Sequence, residues 1–458
     1  MTQVIDVKLW GVTVGRMGYV DDTGVALFEY DDMFLDSDIC ISPVHMPTNQ
    51  KSFQFPHISE RTFKGLAGVF ADSLPDTFGN QLIDSYFAKK GIVPEKISAL
   101  DRLLYIGKRG MGALEYSPST KFSEEAPVSM GLDIQMLSEL ASLVASKSRE
   151  KTEAILNAKD AETVIKLLRI GSSAGGARSK ALVATSPRGD FLDGTVDHGT
   201  DHRYWLMKFD SENNSDRDGF DPKGMTKIEY IYSKVAKDIG IDIPEVDFYQ
   251  ENGDFHFLIE RFDRLAGANK MEKVHYASWS GLDHAHRDAS GTYSYEQLIL
   301  LARRLNFPQT SIEEIYRRAV FNVIGRNQDD HCKNFGAYMN KSGEWKLSQA
   351  FDLTYSYDPN GRWTRVHQIK LNGKQDGFSF DDLSKFGRHC NLSNPKIREI
   401  VERTIDGFDK VGGMANSLDV SPELKSTVLK NMRIKDIVLP KIIHKPDAPE
   451  KQNKLSKK

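Results

Sequence analysis

Asp329, Asn334 and Asp352 stand in the stretch FNVIGRNQDDHCKNFGAYMNKSGEWKLSQAFD, with four residues between the first two. An Asp, four residues, an Asn and a later second Asp are the parts that phosphoryl transfer asks for. One carboxylate orients an attacking hydroxyl and takes its proton. An amide oxygen and another carboxylate hold the Mg²⁺ that shields the triphosphate. Asp330 adjoins Asp329, and chemistry alone leaves open which is the base; the spacing to Asn334 selects Asp329. Between Asn334 and Asp352, GAYM and EWKL read as two short strands joined by the turn NKSG. Such a hairpin puts Asn334 and Asp352, the prospective metal ligands, at one end of a sheet.

The remaining parts of a nucleotide site lie upstream and in order. GSSAGGARSK, ending in Gly175, Gly176, Ala177, Arg178, Ser179 and Lys180, runs into the strand ALVAT. Its small residues let backbone N–H groups approach phosphate oxygens, and Arg178 and Lys180 supply charge. It is not a Walker A loop, which needs GxxxxGK[ST] before a helix. Lys208, in the strand YWLMKFD, is placed to reach the α- and β-phosphates. Outside this context it reads as an exposed lysine on an edge strand. The helix MTKIEYIYSKVAKDIGI carries Ile228, Ile231, Tyr232, Val235 and Ile239 at helical spacing. Its Glu229 either pairs with Lys208 or is a solvated first-turn acid favoured by the helix dipole. A hairpin over the turn ENGD ends at Glu260-Arg261-Phe262, which is either an ordinary charged strand end or the crossing from a small lobe to a larger one, where backbone groups would meet the adenine edge. Gly107, Gly110 and Gly112 read as a structural turn.

These residues need a frame. Residues 1 to about 55 read as a β meander, VIDVKLWGVTVGRMGYV and GVALFEY around the turn DDTG. DTFGNQLIDSYFAKK reads as a helix capped near Asp76, and 133–170 as helical. Beyond Leu265 helices dominate, several opened by Ser, Asp or Asn caps. The expected class is α+β: a protein-kinase-like two-lobed fold with an N-terminal β subdomain and a mostly helical C-terminal domain. The divisions are a β-rich subdomain over 1–110, a nucleotide-binding lobe over 111–263, a helical domain with the catalytic loop over 264–440, and a disordered Lys-rich tail over 441–458. The 458 residues carry a net charge of −3, so bulk charge gives no argument for nucleic-acid binding. Cys40, Cys332 and Cys390 lie too far apart for a disulfide framework or zinc spacing, which fits a reducing cytoplasm. No signal-peptide pattern opens the chain, and no apolar run approaches the roughly 20 residues that span a bilayer.

Beside this reading, the chain resembles the HipA-type serine/threonine kinases, toxins of bacterial toxin–antitoxin pairs. The resemblance is carried by GVFADSLPDTFG at 68–79, SSAGGARSKA at 172–181, LIERFDR at 258–264, RNQDDHCKNF at 326–335, AFDLTYS at 350–356 and HQIKLNGK at 367–374. It implies Asp329 as catalytic base, Asn334 and Asp352 on Mg²⁺, and Lys208 on the phosphates. Gly175 to Lys180, Glu260, Arg261, Phe262, His331, Lys333 and Asn334 would line the ATP site. It further implies autophosphorylation at the start of the Gly-rich loop, where Ser173 aligns and Ser172 directly precedes it; the doublet leaves the modified hydroxyl open. Implied partners are a helix-turn-helix antitoxin that brings the kinase to operator DNA and a protein substrate of the aminoacyl-tRNA synthetase class, with no membrane. Two other readings stand beside it: a small-molecule phosphotransferase on the same lobes, and a non-catalytic pseudokinase co-repressor scaffold.

Overall fold

Alternation of apolar and polar residues builds the first sheet, and a computed structural model describes residues 4–20, 23–89, 91–119, 131–145, 167, 169–171, 178–210 and 222–440 of the chain. β1 (Val4–Leu9), β2 (Val12–Tyr19), β3 (Ala26–Tyr30), β4 (Ser52–Phe53) and β5 (Leu114–Pro118) form an antiparallel sheet in the order β4-β3-β2-β1-β5. Ile5, Val7 and Leu9 turn inward at a period of two and are buried. The continuous run expected over VIDVKLWGVTVGRMGYV is in fact two strands. Trp10 and Gly11 both take positive φ, 53° and 85°, and close a two-residue hairpin turn whose twist suits antiparallel strands. β5 pairs with β1 from Leu9↔Leu114 to Ile5↔Pro118, so 114–118 completes the first sheet.

The second sheet holds β6 (Lys180–Thr185), β7 (Phe191–Asp193), β8 (Arg203–Lys208), β9 (Val246–Glu251) and β10 (Asp254–Glu260), antiparallel in the order β7-β6-β8-β10-β9. Its two faces bury different things. Ala181, Val183, Trp205 and Met207 pack under the helices Thr77–Lys89 and Ile134–Ala145, through Phe78, Leu82, Leu137 and Leu140. Lys208 is one residue out of phase with Met207 and lies on the opposite face, with the helix Met225–Asp238. That helix buries Ile228, Ile231, Tyr232 and Val235 at the spacing read from the sequence.

After the hairpin of β11 (Arg264–Ala266) and β12 (Met271–Lys273), β13 (His275–Ser278), β14 (Gly336–Met339) and β15 (Trp345–Leu347) make a small sheet in the order β13-β14-β15. Around it stand the helices Tyr295–Arg304, Gln309–Gly325, Phe380–His389, Asn394–Asp409 and Pro422–Asn431. Ser294 and Ser379 close capping boxes with Gln297 and Asp382, and Ser393 and Ser421 cap two more, each satisfying otherwise orphaned N–H groups. Gln309–Gly325 is the central helix: Ile315, Ala319, Val320, Phe321 and Val323 are fully buried, and Phe321 packs on Phe408 at 4.8 Å. Among the described residues no helix is long and apolar enough to cross a membrane. The tail over 441–458 lies outside the described residues.

Candidate active site

The central helix ends because Arg326 turns left-handed, with φ 57°. The chain then runs through Asn327 and Gln328 to Asp329 in an extended loop that needs acceptors for its N–H groups. Ser356 supplies them: its Oγ accepts the N–H of Gln328 at 2.8 Å and of Asp329 at 2.9 Å, and its hydroxyl lies 3.2 Å from Asn327 Oδ1. The two aspartates part here. The Asp330 side chain is wholly buried and accepts from Tyr295 Oη, His367 Nδ1 and the Gln368 N–H, each at 2.8 Å. Asp329 keeps its side chain 49% exposed, with the His331 ring beside it, Nε2 at 3.8 Å. Asn334 donates its amide N–H to the Asp329 carbonyl at 2.7 Å, which leaves its Oδ1 as the atom for a cation.

Lys208 bridges the two halves of the site. It donates to Glu229 Oε1 at 2.5 Å and to Asp352 Oδ1, from a position 6% exposed. Burial disfavours its charge, but Asp352 and Glu229 outweigh that and raise its pKa. Burial likewise pushes Asp352 up, yet Lys208 and Lys180 hold its carboxyl at about 2. Asp352 takes φ 53°, and the Asn327 amide donates to its carbonyl at 3.3 Å. Arg178 reaches Glu229 Oε2 at 3.7 Å, and Ser179 is buried at the mouth of β6. Lys180 sits directly across from Lys208 in the sheet and pairs at 3.3 Å with Asp76, a residue the sequence reading used only as a helix cap. Burial and the neighbouring Lys208 depress the Lys180 ammonium, and Asp76 opposes them.

Glu260 and Arg261 are committed elsewhere through their side chains. Glu260 pairs with Arg203 at 3.0 Å, and buried Arg261 grips Asp263 with two bonds of 2.9 Å. The Glu260 and Arg261 N–H groups bond Glu245 and Tyr204 carbonyls. Phe262 lies nearly parallel to Phe351 at 5.9 Å and edge-on to Tyr276 at 5.4 Å, an aromatic group beside Asp352. Lys333 lies near half-buried Asp72, whose carboxyl is raised by desolvation and lowered by Lys333. Ser172, Ser173, Gly175, Gly176 and Ala177 lie outside the described residues. Spacing did not single out Asp76, Ser356 or Phe351, because their roles depend on contacts between distant segments.

Whether a cation fits is a question of donors. Among the described residues no group of three or more His, Cys, Asp or Glu side chains is arranged to hold a metal. Asp352 is held ionised and Asn334 has one amide oxygen to give. Two protein ligands, completed by phosphate and water, suit Mg²⁺, which keeps much of its own shell.

The comparisons with known proteins cover both halves. The family described as HipA N-terminal domain matches residues 5–117, and HipA-like C-terminal domain matches 172–411. A candidate kinase of Sinorhizobium fredii, Y4mE, is 28% identical over 40% of this chain and 45% of its own length. A serine/threonine-protein kinase toxin HipA of Shewanella oneidensis is 25% identical over 25% of this chain and 30% of its own. The chain thus spans less than half the length of these two relatives. The solved Shewanella oneidensis HipA, in a complex with HipB and operator DNA, shares the fold: TM-score 0.65 and 15% identity over 94% of this chain and 95% of that one. With both of its domains matched in order and a HipA kinase-like fold, the chain belongs to the HipA family.

Proposed function

We propose that this chain is an ATP- and Mg-dependent serine/threonine protein kinase and the toxin of a toxin–antitoxin pair. The observation that carries the reading is the division between the two aspartates: Asp330 is consumed by three buried hydrogen bonds, and Asp329 stays open beside Asn334. In this mechanism Asp329 orients a serine or threonine hydroxyl and accepts its proton. The hydroxyl oxygen bonds to the γ-phosphorus, the bond from that phosphorus to the bridging oxygen breaks, and ADP leaves with the electron pair. Lys208, held by Glu229, binds the α- and β-phosphates, while Lys180, Arg178 and the loop before them cover the triphosphate. His331, Lys333 and Asn334 line its far end, and the crossing at Glu260 to Phe262 meets the base through Phe262, since the side chains and N–H groups of Glu260 and Arg261 are already bonded. Bound to Asn334 and Asp352, Mg²⁺ would neutralise phosphate charge.

Autophosphorylation at Ser173 or Ser172 would place a charge of about −1.5 to −2 beside an anion-binding loop and switch the kinase off. By resemblance the substrate is an aminoacyl-tRNA synthetase, whose modification slows translation and brings dormancy in the cytoplasm. A helix-turn-helix antitoxin would carry the kinase to operator DNA. The test is γ-labelled ATP with the full chain and a cell lysate, comparing wild type with Asp329→Asn. Protein labelling that depends on Asp329 is expected. Equal labelling by Asp329→Asn would sink the reading, and label found only on a metabolite would move it to a small-molecule phosphotransferase.

A further inference from the structure

The cations around the site fall into two groups. Those of the nucleotide lobe are already neutralised: Lys208 by Glu229 and Asp352, Arg178 by Glu229, Lys180 by Asp76. On the catalytic-loop side, half-buried Arg287 has no carboxylate within ion-pair reach among the described residues, and its charge acts on Asp76 only at longer range, behind Lys180. Its NH1 instead lies 3.4 Å from His331 Nε2, the same nitrogen that is 3.8 Å from Asp329 Oδ1. The guanidinium and the base therefore meet at one imidazole nitrogen. The acid next to it in sequence is not available, because Asp288 accepts from Ser59 Oγ and, at 2.8 Å, from Thr62 Oγ1.

The segment that carries Arg287 is tied on both sides. His284 Nε2 accepts the Gly68 N–H at 3.1 Å, and Asp288 is held by Ser59 and Thr62, all three from the N-terminal half. On the other side, the Ala285 carbonyl lies 3.1 Å from Cys332 Sγ in the catalytic loop. A guanidinium fixed beside a base, with no carboxylate in direct contact, keeps N–H donors for an anion that arrives with the substrate. Phosphoryl transfer supplies that anion, spreading charge over the equatorial oxygens of the group in flight.

We propose that Arg287 is a further catalytic residue, a guanidinium supplied in cis to the non-bridging oxygens of the phosphoryl group as it passes to the acceptor. It gives and takes no proton; it supplies planar N–H donors to charge that grows along the reaction. The N-terminal half then completes the active site by holding this residue over the loop. The proposal rests on the kinase reading above.

The test follows loss of the γ-phosphate from Mg·ATP by the full chain, in wild type, Asp329→Asn, Arg287→Gln, Arg287→Lys and Arg287→Ala. Binding of a non-hydrolysable ATP analogue and thermal melting are measured in parallel. Turnover should fall about 10²- to 10³-fold in Arg287→Gln while analogue affinity changes less than about twofold. Arg287→Lys keeps the charge without the fork and should recover only part of the rate. Guanidinium ion added to Arg287→Ala, below denaturing concentrations, should raise its turnover, which a purely structural role would not allow. Wild-type turnover in Arg287→Gln with an inactive Asp329→Asn overturns this proposal alone, and so does a loss in Arg287→Gln matched by an equal loss of analogue binding. Should Arg287→Gln melt early, a fully active Arg287→Lys, or no guanidinium rescue, overturns it as well. Wild-type turnover in Asp329→Asn, or none in the wild type, removes the kinase reading itself.

Discussion

A buried carboxylate whose lone pairs are filled by fixed donors is a poor base, because protonating it breaks bonds that hold the fold. Asp330 is in that position, between Tyr295, His367 and Gln368. Its partner His367 is itself 3.0 Å from buried Arg433, which donates to the Val323 carbonyl at 2.7 Å on the central helix. Asp330→Asn would turn an amide N–H toward one of these donors. It should cost about 2–4 kcal/mol in urea denaturation, whereas Asp329→Asn should stay within about 0.5 kcal/mol and lose turnover. A reversed pattern, with stability lost at 329 and retained at 330, would exchange their roles. From the residues the pair was ambiguous, and only the spacing to Asn334 separated them. The burial that gives the physical reason belongs to Tyr295 and His367, each more than thirty residues from Asp330.

Elements with a clear period were legible in the chain: the helix Met225–Asp238, the helix Gln309–Gly325 and the hairpin β14–β15 each follow from spacing and turn residues. What periodicity does not carry is the closure of a sheet by a distant strand, as with β5 on β1, or a turn whose first residue is Trp10 in a left-handed conformation. The catalytic loop belongs to the same class. It has no regular hydrogen bonding of its own between Arg326 and His331, so a side chain 27 residues away holds it. Ser356 stood in the quoted AFDLTYS without a role, and its role is to collect two N–H groups of the loop. Ser356→Ala leaves both without that acceptor, and stability should drop by about 1–3 kcal/mol. Because the loop carries Asp329, turnover should fall further than the affinity for ATP. Steady-state kinetics with ATP as the varied substrate checks this, and an unchanged kcat would mean that the loop keeps its shape without the hydroxyl.

At the scale of the molecule, the N-terminal sheet and the lobes that follow meet at a buried charge. Asp263, with a wholly buried side chain, accepts two bonds from Arg261, one of 2.7 Å from Arg264 and one of 2.6 Å from the Gly112 N–H in the turn before β5. The surrounding links are polar as well: Trp10 Nε1 donates to the Lys273 carbonyl at 2.7 Å, and Lys273 pairs with Glu115 at 2.6 Å. The motif LIERFDR is visible in the sequence, and chain order puts it at the crossing between lobes. Its acid reaches a glycine 151 residues upstream, which nothing local records. Burial alone would push the Asp263 carboxyl up, but Arg261 and Arg264 overcome it and hold it well below the ordinary 3.8. Removing one member of such a cluster strands the others, so Asp263→Ala should cost about 3–5 kcal/mol at neutral pH. Since the folded value lies below the unfolded one, this contribution is fully present above pH 3.8 and is lost only as the pH falls toward the depressed value. The gap in urea stability between wild type and Asp263→Ala should therefore hold constant from neutrality down to about pH 4 and narrow only in stronger acid. A gap that already closes between pH 7 and pH 5 would place the coupling of the two halves in a group with a higher pKa than Asp263.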